Sequence, residues 1–258
     1  MNTSRSGVEP AGSLNRVRHL QSAFVVALAL WVVARTSLVT IASWHNRIMR
    51  AELGMASGLI LLWIVLGGGL MYLFRDRIKA FLKPMSANWR ISFFLLATLL
   101  AMCEEVVTTL MTNCAPLFGV KLGEAYITAS ANYFDVIACH SVVVFLPAFA
   151  AWTWLFSRYD YSPFEAFVSF GVYGFLGEAI YGGFHLADVG FWILVYGLMI
   201  YLPAYVFADH RGPRRVSWLQ YVLGAVGPFV CTIPWVVLLR LTFLRHHPDI
   251  HFPPIRIK

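Results

Sequence analysis

The chain has 258 residues, of which 59% are hydrophobic and only 13% charged, with a mean hydropathy of +0.68, whereas soluble domains carry about a quarter charged residues. That balance excludes a soluble globular fold. The net charge of +7 does not point to nucleic acid either, because the Lys and Arg residues flank apolar blocks and form no separate basic module.

Residues 1–19 form a polar tail with Arg5, Arg16 and Arg18. The apolar block that follows is too long for a signal-peptide core and lacks a small-residue cleavage site, so it predicts an uncleaved first span. Further blocks of about 20 residues, enough to cross about 30 Å of hydrocarbon, place spans at 20–43, 52–74, 90–112, 134–157, 164–183, 190–208 and 217–243. The expected architecture is an all-α, polytopic membrane bundle of about seven transmembrane helices: one domain over 20–244, with a C-terminal tail at 245–258. The weakest boundary is 183–190, where only Gly182, Gly183 and Asp188 interrupt the apolar run; without a turn there the number falls to six.

Lys and Arg concentrate in the N-terminal tail, in the 75–90 segment (Arg75, Arg77, Lys79, Lys83, Arg90) and at 209–216 (Arg211, Arg214, Arg215). With seven spans these share one side, which the positive-inside rule makes cytoplasmic. The expected setting is the cell membrane, with the lipid bilayer as partner and the N-terminus in the cytoplasm. The 113–133 loop, which carries Lys121, and the 183–190 turn then face outward. The first is long enough to lid the outer half of the bundle. Gly171, Gly174 and Gly177, and again Gly224 and Gly227, offer close helix contact. Pro147, Pro203, Pro228 and Pro234 kink their spans. The four cysteines (Cys103, Cys114, Cys139, Cys231) show no CxxC spacing and read as packing thiols.

Ionisable groups inside hydrocarbon cost several kcal/mol unless paired or neutralised, which makes them the informative residues here. They are Arg35, Glu104, Glu105, His140 and Glu178, with His185 and Asp188 at an exit. At 1.5 Å per residue Glu104 and Glu105 lie about 12 Å and His140 about 9 Å below the outer helix ends. Glu105, Thr109 and Asn113 make one polar stripe at i, i+4, i+8, and Glu104 with Thr108 begins a second. A carboxylate beside another in a low-dielectric site can act as a general base on water. Histidines beside it can stabilise developing charge or, as the set Glu105, His140, Glu178 and His185, hold a divalent metal such as zinc. His246, His247 and His251 are also potential ligands, but a solvated tail is the expectation for them.

Glu104-Glu105 on one span, followed by His140 and His185 near two later ones, resembles the layout of the CAAX prenyl protease and bacteriocin-processing superfamily of intramembrane proteases. Gly174-Phe175-Leu176-Gly177-Glu178 is also similar to the second motif of the related PrsW family. The resemblance covers roughly 100–190. The chain differs where the family has an Arg (here Thr109), a Phe (Val136) and a polar residue (Val189), and Arg35 is the candidate replacement cation. It implies an intramembrane peptidase in which Glu104 or Glu105 activates water and His140, with Glu178 or His185, assists, acting on a membrane-embedded peptide or lipid. Two readings stand beside it: a scaffold or receptor whose polar set binds a ligand or a partner helix, and a proton- or ion-coupled transporter with the carboxylates as a relay. No Rossmann pattern, P-loop, GxSxG or HExxH occurs.

Overall fold

The computed structural model describes residues 11–253; Arg5 of the N-terminal tail and Arg256 and Lys258 of the C-terminal tail lie outside the described residues. Each apolar run becomes a rod. Helix α1 (Ala11–Ala42) starts within the segment expected to be a polar tail. The Asn46 side chain accepts from Met49 N–H and so caps α2 (Arg47–Leu59). A π-helical stretch, Ile60–Gly67, then carries the chain without a break into α3 (Gly68–Met85). The apolar rod so formed, Arg47–Pro84, has 38 residues, about 57 Å at 1.5 Å per residue, so its basic end projects past a bilayer.

Asn88 caps α4 (Trp89–Asn113). After an irregular loop, α5 (Tyr133–Asp135) runs into a second π-helical stretch, Val136–His140. The rod breaks at Ser141 and resumes as α6 (Val142–Arg158) after a 53° bend. A Ser162/Glu165 capping box opens α7 (Pro163–Gly182), which ends where Gly183 takes the left-handed φ of 87° that glycine tolerates best. A turn at Leu186–Asp188 leads into α8 (Val189–Val206), and α9 (Trp218–Leu241) closes the bundle. No β-strand occurs among the described residues.

All seven expected spans fall on these rods, and the 183–190 turn forms. By length and apolarity, however, the number able to cross a membrane is five, or six if the bent pair Tyr133–His140 and Val142–Arg158 is one span. The helix that falls short is α7, which has the length but carries Glu165 and Glu178 among its 20 residues. Large apolar side chains such as Leu38, Leu73, Val230 and Leu241 face outward along the rods. This inside-out pattern belongs to a multi-pass membrane protein, because lipid replaces water as the outer solvent.

Helix α8 is the central rod, with 72% of its apolar window buried against 6% for α1. Its closest neighbour is α7. A Cβ on Gly171 would stand 2.7 Å from the Ile193 carbonyl, and one on Gly174 would stand 2.1 Å from the Tyr196 ring. Gly197 is equally tight against Phe167. Gly224 packs against Trp152, while Gly177 and Gly227 meet no neighbouring helix, so the expected strips are used in part. Two helix prolines are compensated in one way. Proline has no N–H, which frees the carbonyl four residues earlier. The Val143 carbonyl, freed by Pro147, accepts from Trp235 Nε1 at 2.9 Å, and the Gly224 carbonyl, freed by Pro228, accepts from Trp152 Nε1 at 3.2 Å. Within a membrane bundle such partners are supplied by neighbouring helices.

The two ends differ. At one, Lys83 and Lys79 reach Asp209 at 2.7 and 3.4 Å and Arg211 pairs with Asp160 at 3.0 Å, so the basic 75–90 and 209–216 segments meet. At the other, Arg47 pairs with Glu124 at 2.5 Å and the C-terminal tail folds down. The tail is not the free solvated strand expected. His251 N–H donates to the Ala129 carbonyl at 2.8 Å, and Phe252 packs on Tyr126 with ring centroids 5.0 Å apart.

Candidate functional site

Adjacent residues on a helix diverge by about 100°, yet the Glu104 and Glu105 carboxyls are close enough to interact with each other. Both residues are buried, at 5% and 7% exposure. Glu105 collects hydroxyl donors: Thr108 Oγ1 at 2.7 Å from its own helix, Ser141 from the helix break, and Thr128 from the 113–133 loop. The stripes expected on α4 are thus regrouped. Thr108 serves Glu105 at i+3 instead of Glu104, and Thr109 Oγ1 is buried without a partner. Asn113 donates to the Thr109 and Ala131 carbonyls, tying the end of α4 to the loop.

Glu178 reaches the same place from α7 and interacts electrostatically with Glu104 and Glu105. The Tyr196 hydroxyl of α8 donates to it. This tyrosine can stand there because Gly174, one turn before Glu178 on the same face, has no side chain. Three carboxyls on α4 and α7 therefore gather inside the bundle, with donors from α4, α6, α8 and the loop. The N-terminal end of α6, electropositive by its backbone dipole, begins at Ser141 beside Glu105.

The other expected members are elsewhere. Arg35 pairs with Asp188 at 3.3 Å, alongside the bond from Trp31 Nε1 to the Ala187 carbonyl, and fastens α1 to the start of α8. His185 is exposed in the turn after α7. His140 belongs to a second cluster, centred on Asp135. The set Glu105, His140, Glu178 and His185 is therefore not assembled around one point.

The second cluster lies on the π-turn just before the break. His247 Nε2 and His251 Nδ1, from the tail, bond the two Asp135 oxygens at 2.7 and 3.1 Å. Ser130 and Cys139 also bond to that carboxylate. His140 Nε2 lies 3.6 Å from it, with its side chain 7% exposed. Sequence reasoning missed Ser141, Tyr196, Asp135 and Cys139 as site residues. Only the Asp135-x3-Cys139-His140 spacing was visible in advance, and it needed the π-turn and the returning tail to gain meaning.

No protein-family model, curated protein or solved structure significantly matches the chain.

Proposed function

We propose that this protein is a proton-coupled membrane transporter or relay, with Glu104, Glu105 and Glu178 as the groups that take up and release the proton. The observation that carries the reading is the company these carboxyls keep. They meet hydroxyls and one another, while Arg35, the cation expected beside them, is engaged by Asp188. Three negative charges together in apolar surroundings would cost far more than holding protons, and carboxyls inside membrane helices without a permanent cation are the usual parts of proton paths. The broken helix at Ser141 supports the same reading, since interrupted helices at membrane depth mark binding sites in transporters.

The test is voltage-driven proton uptake into proteoliposomes, read with a trapped pH-sensitive dye. Wild-type protein should take up protons, and Glu104→Gln, Glu105→Gln and Glu178→Gln, reconstituted to equal density, should each reduce the rate at least about tenfold. Rates unchanged by all three substitutions would overturn the proposal.

One observation favours a second reading, an intramembrane peptidase. The paired glutamates lie beside a helix break whose Ser141 hydroxyl and α6 N-terminal end could stabilise developing negative charge. In that case Glu105 is the base, and Glu105→Gln abolishes cleavage of a membrane-embedded peptide while proton uptake is absent from the wild type as well.

A further inference from the structure

The Asp135 cluster stands apart from the carboxyl site and has the composition of a metal centre. Asp135, Cys139 and His247 each offer a ligand atom, all within 4.8 Å of one another. The π-turn adds His140 to their side. On an α-helix the residue five places on points about 140° away, at 100° per residue. Here Ser141 N–H bonds the Val136 carbonyl in the i→i+5 pattern, and the wider turn brings His140 back to the side of Asp135, which Cys139, four residues on, already shares.

His140 supplies an independent observation. Its Nε2 is buried and has no hydrogen-bond partner, although it faces Asp135 Oδ2 at 3.6 Å. That separation is too long for a hydrogen bond. Two ligands about 2.0–2.1 Å from one tetrahedral ion stand about 3.3 Å apart, so the spacing is near that of neighbours around a metal. The His140 and His247 rings are also close, 4.9 Å between centroids and nearly perpendicular, so that two imidazoles converge on one carboxylate from different segments. His251, bonded to Asp135 through Nδ1, has the position of an outer-shell partner that orients a ligating carboxylate.

We infer that Asp135, Cys139, His140 and His247 bind one divalent transition metal of the zinc class, and that the ion fastens the C-terminal tail to the broken helix. The ligand mix of thiolate, imidazole and carboxylate selects such an ion over magnesium or calcium, which take oxygen ligands. Because His247 comes from the tail and the other three from the π-turn, occupancy and tail docking are one equilibrium.

The experiment uses full-length protein in nanodiscs, stripped with a chelator and then titrated with Zn²⁺ and, as a spectroscopic probe, Co²⁺. One equivalent of Zn²⁺ per chain is expected. Bound Co²⁺ should give the absorption of a tetrahedral site together with a thiolate charge-transfer band that disappears in Cys139→Ser. His247→Ala should weaken binding by about 100-fold, the upper end of what even an outer-shell partner contributes. His246→Ala, a neighbour outside the cluster, should bind as wild type does. Should a ligand variant fail to fold, the wild type alone still decides: Zn²⁺ must slow tryptic cleavage after Arg245 at least about tenfold. Failure of stripped wild type to retain stoichiometric Zn²⁺, a Co²⁺ spectrum without the thiolate band, or cleavage indifferent to Zn²⁺ would each overturn the assignment.

Discussion

At the scale of single residues, the acidic site is held by hydroxyl groups, and removing one should be felt as a lost interhelical bond. In Tyr196→Phe the Glu178 carboxyl loses the donor that α8 supplies. The expected loss is about 1 kcal/mol, the size of such bonds in membrane bundles, seen as a lower thermal midpoint in detergent. Asp209, at the basic end, behaves differently because it is solvated. The Lys83 hydrogen bond, with Lys79 beside it, holds its carboxyl below the ordinary carboxylate range. A pKa depressed by folding gives stability that is present above the unfolded value and is lost as pH falls through the folded one. Asp209→Asn should therefore lower stability near neutrality by at most about 1 kcal/mol, as for exposed pairs. The difference from wild type should vanish in unfolding curves taken below the carboxylate range.

At the scale of elements, interrupted helices are repaired from outside. Trp235 and Trp152 donate to the carbonyls that Pro147 and Pro228 leave open. Replacing either tryptophan with Phe keeps most of the apolar volume but strands a carbonyl, buried at Gly224 and half-buried at Val143. Each change should cost about 1–3 kcal/mol, and Trp235→Phe should also increase amide exchange in the first turns of α6. The α7/α8 contact is set by glycine. In Gly174→Ala the new methyl meets the Tyr196 ring at 2.1 Å. The expected destabilisation is about 2 kcal/mol, typical of overpacking. The same substitution pushes Tyr196 away from Glu178, so it should reduce proton uptake as well as stability.

At the scale of the whole molecule, basic segments gather at one end, and the 113–133 loop with the tail closes the other. Lys83 and Ile250 thus lie at opposite ends. With the protein in sealed vesicles, single cysteines placed at these two positions in an otherwise cysteine-free background should react with an impermeant maleimide from opposite faces. Labelling from the same face would mean that the chain crosses an even number of times between them. In this arrangement Ser141 joins the carboxyl cluster to the Asp135 cluster: its side chain serves Glu105 while its N–H closes the π-turn.

The sequence determined the helical rods and their order, and marked the charged residues that lie within them. Length of apolar run, charge at the ends and glycine or proline at the breaks are local properties, and local physics reads them: the boundaries at Asn46, Asn88, Ser162 and Gly183 all follow from capping or backbone freedom. Depth was legible too, since a helix rises by a fixed amount per residue, and this put Glu104, Glu105 and His140 at nearly one level. Direction around the axis and partners across the bundle were decided only by the tertiary structure. A 3.6-residue period could not foresee the π-turn that aims His140 at Asp135, nor the tail that brings His247 back across more than a hundred residues. The pairing of Arg35 with Asp188, which leaves the glutamates without a cation, belongs to the same class, because side-chain pairing between helices depends on how rods rotate against one another, and nothing along a single rod records that.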